Sequence, residues 1–292
     1  MTIRNTRSLF KKMDISTKTL SIQQKSQLKN KGYIVFKSIP FMKKNVKLMR
    51  KVAKKLILKE GLKGGWEGKE KFYKKGKHFE NGTNRLGNLI NKHPIFGSLV
   101  TIPEILNAAY EVIKSDIKVA GLNLRNPLKN SGNQRIHMDW KPRKKKRERF
   151  AGVVCFVFLD DANYSNGALR IIPGSHKRLG WPEQYIDVMK KHKNEKMMNV
   201  KAGTIVVANL NLWHAGSQNK SGKDRKMIMI NIKNRKLPQL INYKKYLSKK
   251  VKGNLSECQK YLLAIRGNDP TQKADSIGVG KYYKDNFNIK VN

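Results

Sequence analysis

The chain has 292 residues, and 63 lysines and arginines against 20 acidic residues give it a formal charge of +43. That length is enough for one sizeable hydrophobic core, while two cysteines with no Cys-x-x-Cys spacing argue against a disulfide framework. No run of roughly eighteen apolar residues occurs, so a membrane-spanning helix is not expected.

Residues 1–12 are basic but lack the apolar run of a signal peptide, and the expected setting is a soluble protein in a reducing cytoplasm. The charge has two candidate origins. A biased nucleotide composition that favours lysine accounts for pairs scattered through the chain, whereas a functional field attracts anionic metabolites and associates non-specifically with nucleic acid. One cluster stands apart: Lys141-Pro-Arg-Lys-Lys-Lys-Arg-Glu-Arg149 begins two residues after Asp139.

In chain order, residues 1–30 are expected to form a loosely held basic arm that runs into a helix before Gly32. Between Met42 and Glu60, Val46, Met49, Val52, Ala53, Leu56 and Ile57 recur at helical spacing among lysines. The pattern predicts an amphipathic helix, and covering the back of a sheet is favoured over lying on a membrane. Residues 61–93, rich in glycine, lysine and aromatics, read as long loops in which Trp66, Phe72 and Tyr73 either shape a pocket or pack. A second helix is expected over residues 103–117.

Short strands follow at residues 119–125, 135–140, 152–159, 168–172, 204–208, 214–218 and 225–232, separated by turn signals. A helix and charged loop interrupt them at residues 181–196. This pattern points to an antiparallel, mainly β architecture with flanking helices. Residues 237–292 read as a lysine-rich, mostly helical tail. We expect a single domain made of N-terminal helices and loops (1–118), a β core (119–235) and the tail (236–292).

Chemistry concentrates in the core. In an extended segment, residues two apart point to the same side, so His137 and Asp139 can grip one ion while Met138 turns away. His214 follows the apolar run at residues 204–208 and is placed to supply a third ligand. Two imidazoles and a carboxylate on one face of Fe(II) leave the opposite positions open, as in non-haem oxygenases. Arg225 follows His214 by eleven residues and would share a strand face with Met227, Met229 and Asn231. Asn123 and Arg125 share the face opposite Leu122 and Leu124. His176 lies in a Pro-Gly-Ser-His turn, and His78, His93 and His192 lack partners at ligand spacing.

The segments Asn166-Gly-Ala-Leu-Arg-Ile-Ile-Pro-Gly-Ser-His-Lys177 and His214-Ala-Gly-Ser-Gln-Asn-Lys-Ser-Gly-Lys-Asp-Arg225 closely resemble the two signature segments of the phytanoyl-CoA dioxygenase family. Leu124-Arg-Asn-Pro and Gln134-Arg-Ile-His-Met-Asp-Trp140 resemble that family's approach to its first metal ligands, and Lys31-Gly-Tyr-Ile-Val-Phe36 its opening strand. The resemblance implies a double-stranded β-helix, a cupin-like jelly-roll barrel. It also implies Fe(II) held by His137, Asp139 and His214, and 2-oxoglutarate held at its distal carboxylate by Arg225. Ser217 is a candidate support for that carboxylate, although the family usually places the serine one residue earlier. Asn123, Arg125 and Gln134 are candidate contacts to the cosubstrate or to an anionic substrate.

Related iron halogenases lack the carboxylate ligand, so Asp139 implies hydroxylation of a C–H bond by molecular oxygen, while the positive charge of the chain makes a small, anionic metabolite the expected substrate. Two other classes remain open: a basic nucleic-acid-associated protein that uses the barrel as a scaffold, and a cupin-like binding protein without turnover. The second leaves Arg225 unexplained.

Overall fold

The computed structural model describes residues 3–16, 19–61, 64 and 82–266. Trp66, Phe72, Tyr73 and His78, and residues 267–292 of the expected tail, lie outside them. Two helices, α1 (Thr6–Lys12) and α2 (Ile22–Lys31), precede strand β1 (Tyr33–Phe36). The expected loose arm is instead packed down, because Leu9, Phe10, Ile15 and Leu20 are buried in the main core. Thr6 ties it further: its N–H donates to Asp116 Oδ1 (2.7 Å) and its hydroxyl accepts from the Ile117 N–H (2.9 Å).

The amphipathic helix appears as α3 (Pro40–Glu60), started by proline at its first position and burying Met42, Met49 and Ala53. The described part of the expected 61–93 loop contains strand β2 (Thr83–Leu86) and helix α4 (Leu89–Lys92). Helices α5 (Pro94–Gly97) and α6 (Pro103–Ile113) follow. Helix α6 is shorter than expected, because Lys114 takes a left-handed conformation that ends it and releases the chain into β3 (Ile117–Pro127).

The remaining strands are β4 (Gly152–Phe158), β5 (Leu169–Ile171), β6 (Lys196–Met197), β7 (Ile205–Asn209), β8 (His214–Gly216) and β9 (Met227–Asn234). The helix expected within residues 181–196 is a single 3-10 turn at Pro182–Gln184. Three short helices, α7 (Tyr243–Tyr246), α8 (Lys249–Asn254) and α9 (Glu257–Leu262), close the described chain. Among the described residues, no helix is long and apolar enough to cross a membrane.

All strand pairs are antiparallel, in a six-stranded sheet of order β1-β7-β4-β9-β3-β2 and a three-stranded sheet of order β6-β5-β8. Alternation divides the large sheet cleanly. Val153, Cys155, Val157, Leu122, Leu124, Ile228, Ile230 and Ile232 face the helices in one core cluster, while Val154, Phe156, Phe158 and Met227 face inward in another. The first cluster also contains Leu9, Ile105 and Leu262, so the N-terminal helices, the barrel and the C-terminal helices bury apolar surface together.

Two expected strand boundaries change. Residues 135–140 do not form a strand, because their N–H groups donate to different segments: Ile136 to Val188, His137 to His214 and Asp139 to Leu210. Arg225 lies just before β9, where the N–H groups of Arg225 and Lys226 donate to the side chains of Asn126 (2.8 Å) and Asp160 (2.9 Å) and so delay the ladder.

His176 is a structural residue in its turn. Its Nε2–H donates to the Lys29 carbonyl (3.2 Å), and its ring packs so closely on Gly32 that a Cβ there would stand 2.5 Å from Nδ1. Gly32 also ends α2 in the left-handed region, so both geometry and packing require glycine. Burial pushes the His176 imidazole down to about 4, with Lys177 and Arg143 adding to the effect against the pull of the Lys29 carbonyl. The unfolded chain takes up this proton first as pH falls, so folding stability is lost between about pH 6.5 and pH 4. We expect melting temperature to fall across that window and His176→Gln to flatten the decline, the full shift corresponding to roughly 3 kcal/mol. An unaltered pH profile in the variant would show that other groups carry the dependence.

Candidate active site

The cavity between the two sheets encloses about 220 Å³. The inward face of β3 contributes Asn123 and Arg125, that of β9 contributes Met227, Met229 and Asn231, and Arg225 enters from just ahead of β9. Phe156 comes from β4, Leu169 from β5, and His214 with Gly216 from β8.

His137, Asp139 and His214 form a cluster whose candidate ligand atoms all lie within 4.8 Å of one another. His137 Nε2 is 4.0 Å from Asp139 Oδ1, and His214 Nε2 is 3.8 Å from Asp139 Oδ2. The two imidazoles are brought together by a reciprocal backbone bridge, each residue's N–H donating to the other's carbonyl at 2.9 Å.

Their tautomers follow from their neighbours. Nδ1 of His137 lies 3.0 Å from the Arg135 carbonyl and Nδ1 of His214 lies 2.8 Å from the Leu212 carbonyl. A carbonyl only accepts, so each Nδ1 carries a proton, and in the neutral ring this tautomer leaves the Nε2 lone pair directed into the cluster. Burial, and then the neighbouring His214, pull the His137 imidazole down to about 4 against the opposing influence of Asp139, which keeps it neutral as a ligand must be. Metal–nitrogen and metal–oxygen bonds are about 2 Å long, so one ion spans these atoms after small side-chain rotations. The donor set, the tautomers and the spacing all fit iron.

Arg225 is fully buried at the cavity wall. Asn123 and Arg125 line the cavity as the shared strand face requires, with Leu122 and Leu124 in the outer core. Gln134 joins them, its Oε1 accepting from the Gly216 N–H (2.9 Å) and its backbone carbonyl from Arg170 (2.6 Å). Ser217 is a correction. Alternation along β8 turns Gly216 inward, and the Ser217 hydroxyl instead donates to the Ala168 carbonyl at 2.6 Å, outside the cavity.

Trp213 packs with Ile136, Met138, Ile172 and Trp181, and Trp140 lies beneath the Lys233 ammonium at 4.1 Å, so neither tryptophan lines the cavity. Burial lowers Lys233 to about 8, with Asp139 opposing the shift and Lys118 reinforcing it. His93 caps α5 by accepting from the Ile95 N–H. Arg85, on β2, lines the cavity and was not anticipated, because Thr-Asn-Arg-Leu carries no apolar alternation that would mark a strand.

Residues 28–227 match the family described as Phytanoyl-CoA dioxygenase (PhyH). The chain belongs to this family. Its antiparallel sheets around one cavity, with flanking helices, are a double-stranded β-helix. An uncharacterized protein of Mycobacterium tuberculosis is 30% identical over 169 residues, which are 54% of this chain and 56% of that protein. Ectoine dioxygenase of Bordetella bronchiseptica is 25% identical over 176 residues, 49% of this chain and 55% of that protein. The chain therefore spans about half the length of the curated relatives it matches.

Among solved structures, EctD from S. alaskensis with bound Fe superimposes with a TM-score of 0.61 at 17% identity, covering 76% of this chain and 80% of that one. HygX from Streptomyces hygroscopicus with nickel and 2-oxoglutarate bound gives 0.59 at 14% identity, covering 76% and 90%. At these identities the likeness concerns the fold.

One Fe(II) per chain is expected, with His137→Ala and His214→Ala each abolishing its binding in anaerobic calorimetry, since a facial site loses a third of its ligands in either variant. Wild-type stoichiometry in both variants would remove the site.

Proposed function

We propose that the protein is an Fe(II)- and 2-oxoglutarate-dependent oxygenase that hydroxylates an unactivated C–H bond of a small anionic metabolite, with release of succinate and carbon dioxide. The observation that carries this reading is one cavity holding both the His137–Asp139–His214 cluster, with its lone pairs cleared for a metal, and the buried Arg225 guanidinium. A single catalytic domain in the cytoplasm is part of the proposal, supported by the shared core and by the free Cys155 and Cys258.

Iron, 2-oxoglutarate and molecular oxygen supply the oxidising chemistry when bound. The chain supplies position and surroundings. Nε2 of each histidine and the Asp139 carboxylate would hold the metal. Arg225, buried in the cavity wall, would hold the distal carboxylate of 2-oxoglutarate, since a planar guanidinium matches a carboxylate in a way that a lysine cannot. Phe156, Leu169, Met227 and Met229 supply the apolar part of the cavity wall beside the ligands. No general acid–base pair is required. A scaffold for nucleic acid has no use for two imidazoles whose lone pairs converge on a carboxylate.

Arg225→Lys is expected to retain iron and to raise the apparent KM for 2-oxoglutarate by roughly ten-fold or more, as loss of one charge-assisted hydrogen bond costs on the order of 1.5–3 kcal/mol. Succinate formation against 2-oxoglutarate concentration measures it, and a wild-type constant would assign the carboxylate to another residue. No consumption of 2-oxoglutarate by the iron-loaded wild type under a broad screen of anionic metabolites would count against the oxygenase reading.

The exposed Lys144, Lys145, Lys146 and Arg147 leave the core close behind Asp139, on a loop folded around Arg143, which stacks on Phe150 at 4.1 Å. If this loop gathers the anionic substrate, neutralising the four together lowers kcat/KM mainly at low salt and leaves iron binding intact, because exposed charges are screened over about 8 Å at roughly 0.15 M salt. An unchanged salt slope would mark the loop as a solvated surface only.

A further inference from the structure

Helix α3 turns two different sides to its surroundings. Met42, Met49 and Ala53 are buried in the core cluster shared with the outer row of the large sheet, and Val46, Val52, Leu56 and Ile57 pack beside them. All seven lysines of the helix are exposed. Five of them, Lys43, Lys47, Lys51, Lys55 and Lys59, follow one another at intervals of four, the spacing at which side chains on a helix surface meet and like charges repel. Leu48 and Leu58 are also turned outward, 44% and 75% exposed. Leu58 is four residues past Lys54 and Leu48 is four past Lys44, so both aliphatic side chains stand among the lysine heads.

The carboxylates around this face are engaged elsewhere. Glu60, the one acidic residue of the helix, pairs with Lys92 at 2.6 Å. Arg50 turns back to Asp160 (2.9 Å), which also holds Lys226. Lys54 adds its field to Asp224, but that carboxylate is paired with Lys226 as well. A helix of 21 residues spans about 30 Å, so the outer side of α3 is a rigid row of positive charge with repulsion built into it. A partner that spreads negative charge over a plane relieves that repulsion along the whole row.

The leucines and the missing groups choose between a lipid leaflet and a nucleic acid. Phosphate backbone offers nothing to an exposed aliphatic side chain. The groups that read or stack on bases are withheld, since Arg50 donates to the Leu159 carbonyl, Asn45 donates to the Phe41 carbonyl, and Phe41 packs on the core. A leaflet takes both residue types, with lysine heads at the lipid phosphates and leucines at the boundary between headgroups and acyl chains. We propose that the outer face of α3 docks on an anionic lipid leaflet and seats the protein on a membrane surface without crossing it. The inner face keeps covering the sheet, as the amphipathic pattern predicts, and the inference is independent of the iron and 2-oxoglutarate reading.

Co-sedimentation of the full chain with vesicles tests it, at about 0.15 M salt so that distant charges are screened. Vesicles of phosphatidylcholine and phosphatidylserine in equal parts should bind the wild type, and vesicles of phosphatidylcholine alone should not. Each lysine held near an anionic leaflet raises partitioning roughly five-fold, so Lys47→Gln, Lys51→Gln and Lys55→Gln together should lower it on the order of a hundred-fold. Leu48→Ser with Leu58→Ser, which leaves the charge unchanged, should lower it roughly ten-fold. Neutralising Lys144, Lys145, Lys146 and Arg147 instead is the control for charge in general and should cost less than about three-fold. Thermal melting identifies any variant that has lost its fold.

Wild-type partitioning in the folded leucine variant would overturn the proposal, because the face would then be acting through charge alone. A loop control as impaired as the lysine variant would overturn it too, by showing attraction to the protein's charge as a whole. If the wild type ignores the mixed vesicles and binds a duplex RNA oligonucleotide with an affinity that the three lysine substitutions reduce, the face belongs to nucleic acid and the lipid assignment falls.

Discussion

The reciprocal backbone bridge between His137 and His214 is the contact on which the site depends. It joins an irregular segment to the edge of the smaller sheet, and its register sets which side chains converge. A slip of one residue would replace His214 by Ala215 and turn the imidazole to the other face. Two further bonds, from each Nδ1 to the carbonyl two residues upstream, then fix ring orientation and tautomer. A metal site therefore arises from main-chain geometry, with Asp139 carried in by its spacing from His137.

The same alternation that buries Ile228, Ile230 and Ile232 against the helices presents Met227, Met229 and Asn231 to the cavity. Along β3 it separates Leu122 and Leu124 from Asn123 and Arg125. The outer rows supply the apolar burial that holds the helices and the sheet together, at about 25 cal/mol per Å². That burial allows the inner rows to carry guanidinium groups and amides at positions that cost stability on their own. Binding chemistry and folding energy thus come from opposite faces of the same strands.

The ligands and Arg225 were legible because the relevant signals are local: a two-residue spacing, a turn-rich signature, and apolar runs with period two. The helix α3 and most core strands were legible for the same reason. The spacing in residues 135–140 predicts a strand, yet they hydrogen-bond to two separate stretches, at Val188 and at residues 210–214, and form no ladder. Ser217 was expected inward from its distance to His214, but strand alternation turns Gly216 to the cavity instead. The N-terminal arm looked solvated because its few apolar residues are spread among lysines, and their burial becomes evident only against the helices they cover.

The sequence by itself determined the donor types, their order and the family, since these depend on residue identity and short spacing. Tertiary structure decided which face each donor uses and which distant residues join it. Arg85 enters the cavity only because β2 pairs with β3 at a register that sets it opposite Arg125, more than thirty residues away in the chain. Such pairing is chosen by the packing of whole sheets, and a four-residue strand at a sheet edge carries too little pattern of its own to announce it.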